Sequence, residues 1–144
     1  MDTATLRQIA DRHPIVFYDG HCGMCHTAVN LAIARDPDRR LRFAPLQGET
    51  LRALLSPAEI ARLPDSNVLR QRDGTFHKLS DAPLEIMGHL KRPWPAVADL
   101  ARLIPAPLRN SVYRLMAANR DRFAPRPDDV CPVVPADQRE LFLP

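Results

Sequence analysis

The residues with the clearest chemical capacity are two cysteines three positions apart, in Cys22-Gly23-Met24-Cys25. A Cys-x-x-Cys pair either passes electrons to and from a disulfide or holds a metal, and its surroundings decide which. Ile15-Val16-Phe17-Tyr18 just upstream is a short β-branched and aromatic run bounded by Pro14 and Asp19-Gly20, which predicts a buried strand ending in a turn. Downstream, Ala28, Val29, Leu31, Ala32 and Ile33 run without Gly or Pro as far as Asp36-Pro37, which predicts a helix and its stop. The pair therefore sits where a strand turns into a helix. There, Cys22 falls at or just before the first helical turn, where unpaired N–H groups and the positive end of the helix dipole favour a thiolate. Cys25 lies on the same face of that turn, close enough to close a disulfide with Cys22.

This asymmetry assigns attack on a substrate disulfide to Cys22 and resolution of the mixed disulfide to Cys25. Around the pair, His21 and His26 would favour thiolate as imidazolium, or are simply solvated at a helix start. Gly23 lets a partner backbone approach closely, and Met24, where a proline would bias the pair, leaves the redox poise open. Asp19 is placed to accept the proton of Cys25, although an aspartate before a glycine is also an ordinary turn former.

Val16-Phe17-Tyr18-Asp19-Gly20-His21-Cys22-Gly23-Met24-Cys25 resembles the opening signature of the DCC family of thiol-disulfide oxidoreductase-like proteins, named for its Asp, Cys and Cys. The resemblance continues through Leu41–Gln47, similar to that family's second strand, and Ser80-Asp81-Ala82, similar to its mid-chain helix start. Tyr113 to Arg120 then resembles its late Tyr-x-x-x-Ala-x-x-Arg helix. Four motifs in order are more specific than a lone Cys-x-x-Cys. The resemblance implies an α/β, thioredoxin-like fold: a central mixed β-sheet flanked by helices, with extra C-terminal helices. It also implies dithiol-disulfide exchange with a protein or small-molecule thiol or disulfide, without a cofactor. Thioredoxin-like proteins usually carry a cis-proline facing the disulfide at the start of the third strand. Counting back from Asp73-Gly74 puts Ser66 there, with Pro64 two residues early, so Ser66 joins His21, Gly23 and Met24 as a candidate substrate contact.

Three rival readings stand beside this one. Cys22-Gly23-Met24-Cys25-His26 matches the Cys-x-x-Cys-His of c-type haem attachment, but a strand leading into the motif is a poor match to an all-helical cytochrome. A zinc site would need two more ligands, and no second Cys-x-x-Cys or paired His exists, so no metal is expected. A non-catalytic binding module of the same fold is kept open by Ser66.

The remaining elements must hold this corner in place. Ser56-Pro57-Ala58-Glu59 is a capping box that launches a short helix through Leu63. Val68 and Leu69 fit a third strand, Asp73-Gly74 a hairpin turn, and Thr75 to Leu79 a fourth strand. Ser80 is placed to cap a helix carrying Leu84, Ile86, Met87 and Leu90. Pro93-Trp94-Pro95 and Pro105-Ala106-Pro107 open two further helices, Ala96 to Ile104 and Leu108 to about Arg122. The second is amphipathic and cationic, which suits packing on its own domain, or an acidic membrane or partner surface. These signals divide the chain into an N-terminal extension (1–13), a thioredoxin-like domain with a helical addition (14–123), and a proline-rich tail (124–144) containing Cys131, either a free thiol or a third redox sulfur.

Composition bounds the rest. A chain of 144 residues, 45% hydrophobic and 26% charged, is long enough for one self-sufficient core and is neither disordered nor collagen-like. No apolar run reaches the roughly 20 residues of a membrane-spanning helix. Met1 to Arg12 lacks the apolar stretch of a secretory signal, and the cysteine count is odd; both point to the cytoplasm. Net charge is +3, and Lys78 and Lys91 are the only lysines among 20 cationic residues. The arginines are scattered, and the densest group, Arg35, Arg39, Arg40 and Arg42, has only Phe43 as a stacking ring, so a nucleic-acid partner is not expected. Oligomeric state is open.

Overall fold

The computed structural model describes residues 1–19, 23–119, 122 and 136–144. Its centre is β1 (Ile15–Tyr18), where all four side chains are buried. Alternate side chains of a strand point to opposite faces, and here they seed two cores. Val16 and Tyr18 join Leu41, Phe43 and Leu69 on one face, and Ile15 and Phe17 join Ala44, Leu51 and Val68 on the other. A strand buried on both faces must read as a continuous apolar run, which is what made it legible.

β1 pairs in parallel with β2 (Arg42–Pro45), from Ile15 opposite Arg42 to Tyr18 opposite Pro45. On its other side it pairs antiparallel with β3 (Val68–Arg70), which pairs antiparallel with β4 (Phe76–His77). The order is therefore β2-β1-β3-β4, a mixed sheet. The Asp73-Gly74 turn forms as expected: Gly74 adopts φ +90°, a region open to glycine, and Gln71 N–H donates to Thr75 O at 2.8 Å. The fourth strand is shorter than its sequence signal, because Leu79 turns to φ +53° and ends the extended run.

Helices cover both faces. On the first lie α2 (Gly23–Ala34), through Val29 and Ala32, and α5 (Asp81–Gly88), through Ile86. On the second lie α1 (Thr3–Arg12), through Ala10, and α3 (Glu49–Leu54), through Leu51, with α4 (Pro57–Ile60) adding Ile60. The N-terminal extension is thus helix α1, capped by Asp2, whose Oδ1 accepts from Thr5 N–H at 3.0 Å, with Leu6 and Ala10 buried one turn apart. The capping box at α4 forms in full: Ser56 Oγ accepts from Glu59 N–H, and the Glu59 carboxylate accepts from Ser56 N–H at 2.8 Å.

Two expectations are corrected. Ser80 does not cap α5 with its side chain: its backbone is already helical (φ −65°, ψ −23°), and its hydroxyl donates to Asn110 Oδ1 at 2.5 Å. That bond ties α5 to α7 (Ala106–Ala118), which follows α6 (Trp94–Ala101). The amphipathic face of α7 is not buried against its own domain. Leu108, Val112 and Leu115 are 57%, 51% and 66% exposed, and no residue of α7 is buried.

The C-terminal segment returns to the sheet. After a 3-10 helix at Ala136–Leu141, Phe142 bridges Phe43 in parallel and Leu143 N–H donates to Phe43 O at 2.8 Å. Thr50 N–H closes on Pro144 O at 2.8 Å, and Phe142 sits edge-on to Tyr18. Gly48 is obligatory there: a Cβ would lie 2.9 Å from both Pro144 backbone and the Pro45 ring. Among the described residues, no helix is long and apolar enough to cross a membrane.

Candidate active site

The carboxyl end of β1 is where the candidate residues converge. β1 leaves the sheet at Tyr18, α2 begins at Gly23, and β3 enters at Val68, so Asp19, the first turn of α2 and Ser66 share one end of the sheet. Gly23 follows Asp19 by four positions, a reach of at most about 14 Å. His21 and Cys22 lie outside the described residues. Gly23, Met24 and Cys25 form the first turn of α2, where the structure describes the backbone. A helix of 12 residues starting at Gly23 offers its free N–H groups at this turn.

Asp19 is 8% exposed, a buried carboxylate where the strand ends. Gln47 Nε2 donates to its Oδ1 at 3.4 Å. Parallel pairing sets Gln47 there: beyond Tyr18–Pro45 the ladder continues with Leu46 N–H donating to Tyr18 O at 2.9 Å, which carries Gln47 alongside Asp19. The Gln47 carbonyl in turn accepts from Arg52 of α3. Gln47 was quoted in the Leu41–Gln47 motif without a role. The signal that could have found it is its place two residues past a strand parallel to β1.

Ser66 is 9% exposed, and its hydroxyl has no hydrogen-bond partner among the described residues; the same is true of Asn67 Oδ1 beside it. Ser66 precedes β3 by two residues, as expected, and the cis peptide bond among the described residues lies elsewhere, at Arg92-Pro93. Unsatisfied buried polar atoms are uncommon, and among the described residues two occur in succession at the end of the sheet that carries Asp19. Cys131 and Arg120 also lie outside the described residues. Tyr113 lines a groove between α5 and α7, away from this corner in the chain's topology.

A mixed sheet with helices on both faces and a Cys-x-x-Cys at the start of the helix after the first central strand defines a thioredoxin-like class. A family model of DCC1-like thiol-disulfide oxidoreductases matches residues 16–126. The chain is 31% identical to the uncharacterized protein YuxK of Bacillus subtilis (strain 168) over 140 residues, 97% of this chain and 99% of that protein. It is 34% identical over 113 residues to a chloroplastic DCC family protein of Arabidopsis thaliana, covering 76% of this chain and 64% of that protein. No solved structure matches. The chain belongs to the DCC1-like thiol-disulfide oxidoreductase family.

Proposed function

We propose that the chain exchanges dithiol and disulfide with a protein or small-molecule partner through Cys22 and Cys25. The supporting observation is the start of α2 at Gly23, directly after Cys22 in the sequence, with Cys25 as the third residue of that helix. Cys22, as thiolate, attacks one sulfur of the substrate disulfide; the substrate S–S bond breaks and its electron pair leaves on the other sulfur, which takes up a proton. Cys25 loses its proton and attacks Cys22 Sγ, closing the Cys22–Cys25 disulfide and releasing the second substrate thiol. Two electrons pass to the substrate, and a dithiol reductant or the reverse reaction restores the pair.

Asp19 takes the Cys25 proton in the resolving step, with Gln47 orienting the carboxylate. Ser66, whose buried hydroxyl has no partner among the described residues, hydrogen-bonds the substrate backbone once the corner opens to it, and Gly23, Met24 and His21 are the other substrate contacts. Cys22→Ser should abolish reduction of an insulin-type disulfide, and Cys25→Ser should accumulate a mixed disulfide detectable by mass. Variants that both reduce substrate at the parental rate would refute the proposal.

A further inference from the structure

The end of the sheet opposite Asp19 gathers a different set of side chains. Arg12 ends α1, Arg39 and Arg40 lie in the connection from α2 to β2, Arg72 lies in the β3–β4 hairpin and His89 follows α5. With Asp38 they line a pocket of about 420 Å³. That volume falls within the range of small-molecule sites.

The charges in this pocket are unequally satisfied. Arg39 is paired with Glu140 at 2.5 Å and Arg40 with Asp38 at 3.2 Å. His13 has both ring nitrogens in use: Nδ1 donates to Arg40 O at 3.1 Å, and Nε2 accepts from Arg42 at 3.4 Å. Arg12 and Arg72, in contrast, have neither a carboxylate nor a hydrogen-bond acceptor among the described residues. His89 donates through Nε2 to Gln71 Oε1 at 3.0 Å, leaving Nδ1 unassigned. Four arginines thus converge from three separate segments on a concave surface that contributes one carboxylate. Like charges brought together by folding repel, and the planar guanidinium fork fits oxyanions with two parallel hydrogen bonds.

We propose that this pocket binds a phosphate-bearing small molecule, held between Arg12 and Arg72 with Arg40 completing the cradle. It lies across the length of β1 from the cysteine corner, so occupancy is independent of the redox chemistry above. His89 supports this reading, since a bound anion beside its free nitrogen would offset the repulsion from Arg40 and Arg72.

Isothermal titration of the full chain with inorganic pyrophosphate, at constant ionic strength and near-neutral pH, tests the proposal. Saturable one-to-one binding is expected, weakened about tenfold or more by Arg12→Gln and by Arg72→Gln, because each removes a charge-assisted contact. Arg62→Gln, an exposed arginine on another part of the surface, should bind as the parent does. Pyrophosphate should also raise the melting temperature of the parent and not that of the Arg12→Gln, Arg72→Gln double variant. Absence of saturable heat, or equal weakening in Arg62→Gln, would overturn the proposal and leave the arginines as counter-charges to the helix ends beside them.

Discussion

Single side chains separate the chemistry from the scaffold. Asp19 combines burial with a hydrogen bond from Gln47 on a neighbouring strand connection, the setting of a carboxylate held in one orientation rather than of a solvated turn former. If it takes the Cys25 proton, Asp19→Asn should lower disulfide-reducing turnover by about 10²-fold or more and build up the mixed disulfide, read by mass spectrometry. Unchanged turnover would return Asp19 to a structural role. His89 gives a second measurable effect. Burial, with Arg40 and Arg72 acting the same way, holds its pKa below the ordinary 6.5, while Glu85 and Asp36 pull it up. The unfolded chain therefore takes up a proton first as pH falls, so the stability His89 contributes is present above about 6.5 and is lost below it. Melting temperature should fall more steeply between pH 7.5 and 5.5 in the parent than in His89→Asn; parallel curves would contradict this assignment. The cysteines and Asp19 were legible because they are close in sequence. Gln47 was not, since only the parallel register of β1 and β2 brings it to Asp19.

At the scale of elements, local signals were read well where they are self-contained. The capping box before α4 needs only four consecutive residues, and it forms as written. Ser56→Ala should cost about 1 kcal/mol of unfolding free energy, measured by urea denaturation. Ser80 offers an N-cap serine without the Glu of a capping box, a partner on α7 takes its hydroxyl, and no local pattern announces Asn110. α1 escaped notice for a related reason: its buried face comprises only Leu6 and Ala10, a stripe too narrow to stand out among Arg7, Gln8 and Asp11. The apolar Leu141-Phe142-Leu143 lies along β2, with Leu143 5% exposed. Leu143→Ala should therefore destabilise by about 2–5 kcal/mol, whereas a segment resting on the surface would lose under about 0.5.

The described residues form a sheet with a proposed site at each end and an exposed apolar flank. At the carboxyl end of β1 stand Asp19, Ser66 and the start of α2; at its amino end the arginines converge from residues 12, 39, 40 and 72, a clustering that reading along the chain could not anticipate because it saw only scatter. The flank is α6 and α7, where Leu103 and Leu115 are 79% and 66% exposed. Leu103→Gln and Leu115→Gln should each leave stability within about 0.5 kcal/mol in chemical denaturation, as expected for side chains with little packing to lose. The fold class was legible in the doubly buried run of β1 and the motifs that resemble the family, while the strand order β2-β1-β3-β4 depends on long-range pairing that no local pattern carries. The proposed exchange depends on an acidic thiol at Cys22. Alkylation of Cys22 as a function of pH, followed by mass in the Cys25→Ser, Cys131→Ser background, tests this most directly: an apparent pKa well below the free-thiol value of about 8.5 is predicted, and a value at or above it would contradict the account.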